Sequence, residues 1–278
     1  MNIYLKNKIN LINNLKKNIK IEPKFNKIQV INKIQVNNKK LTLKYKLNTV
    51  FDHIYIINLK RTPKRKENMI KRLKLIDPNI KYEIFEAFDG SSPSNKDRIT
   101  QIKKKSKLTN GEIGLSLSFI NIMTDAQLKK YNKILILEDD CFFHKNFINK
   151  FNEAYHNLQK TNSNWKFIKF GNNLTSNYKK QYTQYWSKMN TNILNCGTWA
   201  MGLKKDCFAY YKNMLSKFNK PCDNIPILNL AKKFPTYVMK NDIIISDVSQ
   251  STIRQKRNQK IWSLSRGWNL RNFDIIYS

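Results

Sequence analysis

The stretch Lys133-Ile134-Leu135-Ile136-Leu137-Glu138-Asp139-Asp140 joins an apolar run to three consecutive carboxylates. The apolar residues predict a strand that is buried on both faces, as the central strands of parallel sheets are. The acids would then lie at the carboxyl end of that strand, where open α/β sheets bind ligands. Because side chains alternate along a strand, Glu138 and Asp140 are expected on one face and Asp139 on the other. The pattern fits a hard-oxygen site for Mg²⁺ or Mn²⁺, or an ordinary acidic turn.

A β-α-β unit is predicted upstream of this stretch. The run from 53 to 59 is apolar enough for a buried strand, and Thr62 is expected to cap a helix whose first position is Pro63. A further strand from 82 to 88 ends at Asp89-Gly90. The sequence therefore predicts an α/β fold with polar residues at the ends of its strands.

The downstream half alternates further strands and helices. A helix is expected after Leu108, with Thr109 or Asn110 as its cap, and strands are expected at 165–170, 195–203, 236–239 and 242–247. Asp223 follows Pro221 just before another apolar helical segment, so it could be an ordinary helix N-cap.

The formal net charge is +33, from 52 Lys and Arg against 19 Asp and Glu, which allows a basic nucleic-acid or anionic-surface binding protein. Lys, Asn and Ile are nevertheless spread through the whole chain, which favours a compositional bias over a designed basic patch. The four cysteines show no C-x-x-C spacing, so a zinc site is not expected. We expect free thiols in a reducing compartment instead.

Two segments are predicted: a basic extension rich in Lys, Asn and Ile over residues 1–48, and a domain over 49–278 whose tail is basic and aromatic. The extension contains a near-repeat, Asn26-Lys27-Ile28-Gln29-Val30 and Asn32-Lys33-Ile34-Gln35-Val36. No signal peptide is recognised, and no run approaches the roughly 18 apolar residues of a membrane span. The expected location is therefore cytoplasmic or peripheral to a membrane, with possible contact to anionic lipid.

Several motifs between about residues 52 and 250 together resemble glycosyltransferase family 25, which includes bacterial lipooligosaccharide galactosyltransferases and animal procollagen galactosyltransferases. The stronger ones are Ile57-Asn58-Leu59 with Arg61, Pro63 and Arg65; Phe85-Glu86-Ala87-Phe88-Asp89-Gly90; Leu108-Thr109 with Gly111-Glu112-Ile113-Gly114 and Leu117-Ser118; and Leu135 to Asp140. The weaker ones are Thr198-Trp199-Ala200, Pro221-Cys222-Asp223 and Ser246-Asp247. Four strong motifs in order and at sensible spacing are hard to obtain by chance.

The resemblance implies a GT-A type, Rossmann-like mixed sheet flanked by helices. It also implies a metal-dependent, inverting transfer of galactose or glucose from a UDP-sugar to a hydroxyl of a glycan or protein, with no specific nucleic acid involved. Asp140 would be the direct ligand of Mn²⁺ or Mg²⁺, with Glu138 also in the metal motif and nearer the ribose or second shell. The remaining donor-binding positions would be Asn58, Arg61, Arg65, Asp89, Gly90, Gly111, Glu112, Asp139, Thr198 and Trp199.

Several roles stay open at this point. Arg61 and Arg65 could bind phosphate or form a solvated helix face. The base for the acceptor hydroxyl would be Asp223 or Asp247, and Asp247 could instead be a further metal ligand. Trp199 could stack on a sugar or belong to the core.

Two further positions carry expectations of their own. Phe119 stands where the family commonly has His, which leaves a catalytically inactive family member as an alternative. His144 is the one histidine whose position near the acids suggests reach to the metal.

Overall fold

The structure, a computed structural model, describes residues 44–173, 180–181, 183–193, 197–253 and 256–275. The compact unit to which they belong runs from Leu43 to Ser278. Most of the predicted extension, including its near-repeat, lies outside the described residues. Among the helices described, none combines the length and apolar composition needed to cross a membrane.

Strands and helices alternate along the described chain. The strands are β1 (His53–Asn58), β2 (Glu83–Glu86), β3 (Lys133–Glu138), β4 (Cys141–Phe143), β5 (Phe167–Lys169), β6 (Lys180–Gln181), β7 (Trp186–Lys188), β8 (Ala200–Lys204), β9 (Thr236–Met239) and β10 (Ile244–Ser246). The helices are α1 (Leu47–Val50), α2 (Pro63–Ile76), α3 (Lys96–Lys103), α4 (Asn110–Leu128), α5 (Phe147–Asn162), α6 (Phe208–Leu215), α7 (Ile225–Lys233) and α8 (Gln259–Arg266).

The main sheet has the strand order β2-β1-β3-β8-β5-β9-β7-β6. Strands β2, β1 and β3 are mutually parallel, β8 runs antiparallel to both β3 and β5, and β5 is parallel to β9. The predicted mixed α/β sheet flanked by helices is thereby confirmed. The strand expected at 242–247 does not join it, because β10 pairs antiparallel with β4 in a separate two-stranded ribbon.

The apolar run of β3 is central, as its composition predicts. Leu135 and Leu137 pack into a core cluster on one face, together with side chains of α2 and α5. Ile134 and Ile136 pack into a second cluster on the other face, with side chains of α4, α6 and α7. Since both faces of β3 are covered, its side chains can be apolar throughout, and only its end is available to polar residues.

Helix starts follow the sequence with two corrections. Thr109 caps α4 through a reciprocal pair of bonds, its hydroxyl accepting from the Glu112 N–H at 3.2 Å while Glu112 Oε2 accepts from the Thr109 N–H at 2.9 Å. Helix α2 does begin at Pro63, but the Thr62 side chain does not cap it and instead donates to the Leu59 carbonyl at 2.9 Å. Helix α7 begins at Ile225, so the cap position falls after Asp223.

The first described residues already belong to the core. The Tyr45 N–H donates to Asn152 Oδ1 at 2.9 Å, and the Tyr45 ring meets Tyr155 edge-on. Leu47, which the sequence places in the extension, is only 2 % exposed. Packing of the domain therefore begins a few residues before position 49.

We expect Leu47→Ala to lower the free energy of unfolding by about 2–4 kcal/mol, because the truncation removes buried methyl groups and leaves a cavity. Lys44→Ala, at an exposed position, should change it by about 0.5 kcal/mol or less. Urea unfolding followed by circular dichroism compares the two variants. Equal stability of both would show that the segment before β1 adds nothing to the core.

Candidate functional site

The carboxyl ends of β1 and β3 lie side by side at one edge of the sheet. Ile57 is in register with Glu138, and Asn58 is the last residue of β1. Strand β3 ends at Glu138, and Asp139 and Asp140 form the turn that leads into β4. The three carboxylates therefore stand where ligands bind in open α/β sheets, as the sequence predicts.

The orientation expected for these carboxylates is found only in part: Glu138 and Asp140 line one cleft together, but Asp139 and Asp140 share a cation. One guanidinium nitrogen of Arg65, Nη2, contacts Asp139 Oδ1 and lies 3.3 Å from Asp140 Oδ2. Strand alternation stops at Glu138 because the chain turns there, so Asp139 and Asp140 both turn toward the first turn of α2. Burial disfavours the Arg65 charge, but the surrounding carboxylates outweigh it and raise the pKa of Arg65.

Asp139 is held on both of its oxygens. Oδ1 contacts Arg65, and Oδ2 accepts a hydrogen bond from Asn58 Nδ2 at 2.6 Å. Burial raises the pKa of Asp139, and the neighbouring Arg65 opposes that rise. Asn58 is itself buried. Asn58 and Asp139, both predicted to bind the sugar donor, are therefore hydrogen-bonded to each other and stabilise the turn.

Arg72 is a site residue that the motifs do not reveal. Its side chain is 1 % exposed, Nη1 donates to the Asp139 carbonyl at 3.4 Å, and its guanidinium lies over the Phe142 ring. Arg72 follows Arg65 by two helical turns, so the two arginines share one face of α2. That spacing was the available signal in the sequence.

Asp247 is brought beside Asp140 by the β4–β10 ribbon. Ser246 pairs with Cys141, and the Asp247 N–H donates to the Asp140 carbonyl at 2.8 Å. One carboxylate oxygen of each, Asp140 Oδ1 and Asp247 Oδ2, is buried and accepts no hydrogen bond. Burial, with the charges of Asp139 and Asp247, raises the pKa of Asp140 to about 6 against the opposing effect of Arg65.

Glu138 lies between two clefts. Its Oε1 accepts a hydrogen bond from the Thr198 hydroxyl at 2.6 Å, and its N–H donates to the Trp199 carbonyl at 2.9 Å. Burial, together with the charge of Asp140, raises the pKa of Glu138 to about 8. Glu138 is the carboxylate that lines both clefts.

The first cleft has a volume of about 300 Å³. Of the predicted site residues it is lined by Arg61, Arg65, Asp89, Gly90, Gly111, Glu138 and Asp139. Arg61 Nε donates to Asp89 Oδ2 at 2.6 Å, so these two form one wall as an ion pair. A Cβ on Gly90 would collide with the Asn110 carbonyl, so glycine is needed for the loop to approach α4.

The second cleft has a volume of about 150 Å³ and shares Leu115, Glu138 and Ile253 with the first. Of the predicted site residues it is lined by Glu112, Glu138, Asp140, Thr198, Trp199, Asp223 and Asp247. Asp223 Oδ2 accepts from the Gly197 N–H at 3.3 Å, and the cap position of α7 is occupied by Asn224. The structure therefore brings both candidate bases to one cleft.

Trp199 and Glu112, which line this second cleft, also make contacts that stabilise the fold. Trp199 is 4 % exposed, donates its indole N–H to the Ile244 carbonyl at 3.1 Å and meets the Trp268 ring edge-on. This geometry favours the core interpretation of Trp199 over sugar stacking. The Glu112 carboxylate is engaged in the cap of α4.

Phe119 and His144 lie away from both clefts. Phe119 is fully buried and packs against Tyr211, so the residue in place of the family histidine fills the core. His144 accepts from the Asn146 N–H at 3.0 Å and meets Phe273 edge-on. It follows the far end of β4 and lines neither cleft, so the structure does not place it in the cleft of Asp140.

The described parts of the chain hold no ready-made cluster of three or more His, Cys, Asp or Glu side chains for a metal ion. The two unpartnered oxygens of Asp140 and Asp247 nevertheless fit a divalent cation, which prefers carboxylate oxygen. Its other ligands would have to come from a bound substrate and water.

Comparisons with known proteins show to which family the chain is related. A family model described as glycosyltransferase family 25 (LPS biosynthesis protein) matches residues 51–220, more than half of the chain. The chain is similar to a procollagen lysyl hydroxylase and glycosyltransferase of Acanthamoeba polyphaga mimivirus, with 33 % identity over 35 % of this chain and 13 % of that protein. It is also similar to procollagen galactosyltransferase 2 of Mus musculus, with 29 % identity over 44 % of this chain and 21 % of the relative.

A third relative, inactive glycosyltransferase 25 family member 3 of Homo sapiens, is 26 % identical over 44 % of this chain and 22 % of its own length. The matched segment thus spans less than a quarter of each of these three relatives. Because the family model covers more than half of the chain, the chain belongs to glycosyltransferase family 25.

Proposed function

We propose that this chain is a metal-dependent, inverting glycosyltransferase of GT-A type. It would transfer galactose or glucose from a UDP-sugar to a hydroxyl group of a glycan or protein. The observation that carries the proposal is the meeting of two clefts at Glu138, one lined by arginines and the other by Asp140, Asp223 and Asp247. A mouse relative named as a procollagen galactosyltransferase supports the choice of sugar.

The first cleft suits the nucleotide of the donor. Its volume lies at the lower end of the roughly 300–1,000 Å³ typical of small-molecule sites. Arg61 and Arg65 line it and supply charge-assisted donors for diphosphate oxygens. Because Arg65 also contacts Asp139 and Asp140, the phosphates would come to rest next to the carboxylates.

Asp140 and Asp247 are the residues that would hold Mn²⁺ or Mg²⁺, through the two oxygens that accept no hydrogen bond. A bound cation offsets the negative charge that grows on the diphosphate as the sugar leaves. Assigning Asp247 to this role leaves Asp223 as the base. Glu138, which accepts from Thr198, would support the site from between the clefts.

The transfer itself is a single displacement at the anomeric carbon. The acceptor oxygen forms a bond to that carbon while the bond to the diphosphate breaks, and its electron pair leaves with UDP. The hydroxyl proton passes to the Asp223 carboxylate, which lies in the second cleft. Attack from the face opposite the leaving group inverts the configuration.

UDP should bind at least about tenfold more weakly in EDTA than in Mn²⁺, because a cation held by Asp140 and Asp247 would offset the repulsion between these carboxylates and the phosphates. Calorimetry with UDP in the two conditions measures this, and uridine, which has no phosphates, is the control that should show no such dependence. Equal affinity of UDP in both conditions would remove the metal from donor binding.

The proposed activity is tested by measuring UDP release from UDP-galactose and UDP-glucose in Mn²⁺, with and without hydroxyl acceptors. Acceptor-dependent release from one donor is the expected result. Binding of UDP without release from either donor across the acceptors would favour an inactive family member, as the human relative is named.

A further inference from the structure

Helix α8 carries an exposed apolar pair. Ile261 is 68 % and Leu264 is 72 % exposed, and their spacing puts both side chains on the same face of the helix. Among the described residues, the other large apolar side chains exposed to this degree are Leu75 and Leu128, which lie on two different helices. These two neighbouring aliphatic side chains form a small exposed apolar patch on one short helix.

The orientation of α8 is set by its buried face. Gln259 and Ser263, one turn apart, are 5 % and 1 % exposed. Gln259 Oε1 accepts from the Val248 N–H at 2.7 Å, and its Nε2 donates to the Ser246 carbonyl at 3.1 Å. These bonds tie the helix to the segment around Asp247 and hold Ile261 and Leu264 toward solvent.

The segment of sequence that contains the pair is strongly basic. The sequence from 256 to 273 contains no Asp or Glu, and its cationic residues are Lys256, Arg257, Lys260, Arg266 and Arg271. Lys256, Lys260 and Arg271 are exposed. The guanidiniums of Arg257 and Arg266 lie over the Trp262 ring, at 4.2 and 4.4 Å from its centroid, so this tryptophan is already engaged.

We propose that the α8 face, formed by Ile261 and Leu264 with Lys256, Lys260 and Arg271, docks on an anionic lipid bilayer. Exposed aliphatic side chains in a segment rich in exposed Lys and Arg match a surface that is apolar beneath a layer of negative headgroups. Nucleic acid would use the cations but leave the two aliphatic side chains in water, since most of its contacts are made by phosphates. Charge and apolar character together therefore favour lipid.

The α8 face adjoins the second cleft, which Arg257 and Trp262 help to line. Docking would therefore hold the cleft of Asp223 and Asp247 beside the lipid surface. This consequence rests on the proposed function and points to an acceptor hydroxyl carried by a membrane-bound molecule. The docking itself needs no transfer activity.

Co-sedimentation of the full chain with vesicles tests the proposal. We expect binding to phosphatidylcholine vesicles that contain phosphatidylglycerol, weaker binding to phosphatidylcholine alone, and weakening by salt. The double variant Ile261→Ser with Leu264→Ser should bind at least about tenfold more weakly, since it loses the apolar contact. The matched control, Leu75→Ser with Leu128→Ser, removes equally exposed side chains elsewhere and should bind as the wild type does.

Wild-type vesicle binding by the α8 variant, or an equal loss in the control pair, would overturn the proposal. The proposal would also be overturned if neither the wild type nor the α8 variant bound vesicles, and the wild type instead self-associated in a way that the variant did not. The same holds if the wild type bound an RNA or DNA oligonucleotide that the variant did not bind. These experiments contain no sugar donor, so their failure is distinguishable from failure of the proposed transfer reaction. Circular dichroism of both double variants verifies that each is folded.

Discussion

Asp140→Asn should reduce the transfer rate by about 10²- to 10³-fold while the protein stays folded. Charge neutralisation by a metal is worth several kcal/mol in a transition state, and about 1.4 kcal/mol corresponds to each factor of ten. Asn keeps the volume of Asp but loses the charge of an oxygen that now accepts no hydrogen bond. The protein should stay folded, because burial and neighbouring carboxylates raise the pKa of Asp140, and Asp139 still pairs with Arg65 when the weaker contact at 3.3 Å to Asp140 is lost.

The matched control is Asp139→Asn, one residue away. Asp139 uses both oxygens, toward Arg65 and Asn58, so its neutralisation leaves part of the buried Arg65 charge unbalanced. Breaking a buried pair in this way costs roughly 3–5 kcal/mol of stability. Thermal melting and UDP release should be measured on both variants, and wild-type turnover in Asp140→Asn would remove that residue from the site.

Asp223→Asn should lower turnover by roughly 10²- to 10⁴-fold, the usual effect of losing a general base. UDP affinity should change little, because Asp223 lines the second cleft and the arginines that would bind phosphate line the first. The Asn side chain keeps an oxygen that accepts from the Gly197 N–H, so the local fold is preserved. Calorimetry with UDP and initial rates of release separate the two effects.

Asn224→Ala is the control for this loop. Asn224 occupies the cap position of α7 but makes no side-chain cap bond, so its loss should leave turnover close to that of the wild type. A similar fall in both variants would mean that the loop conformation matters and not the Asp223 carboxylate. Near-normal turnover in Asp223→Asn would transfer the role of base to Asp247.

Local sequence was sufficient for the elements that carry the site. The apolar runs of β1 and β3, the Pro63 start of α2 and the Thr109–Glu112 cap of α4 depend on residues within a few positions of one another. The fold class follows from such elements in order. The motifs at their ends also identify the family, because the residues that carry them are contiguous in the chain.

The composition of the site depended on long-range pairing instead. Asp247 lies beside Asp140 because β10 pairs with β4, about a hundred residues earlier in the chain. Nothing in the residues around 247 predicts that this strand pairs with β4 and not with a strand of the main sheet. The contact of Arg65 with both Asp139 and Asp140 likewise depends on where β3 ends, which strand periodicity does not reveal.

Helix α8 shows most clearly the difference between what local sequence predicts and what the tertiary structure decides. The sequence identifies a basic, aromatic tail, and aliphatic side chains such as Ile261 and Leu264 are ordinarily the ones that are buried. In the folded chain Gln259 and Ser263 are buried instead, because the Gln259 side chain satisfies backbone groups of Ser246 and Val248. A buried amide is stable when it is hydrogen-bonded, and those partners exist only after β10 has docked on β4.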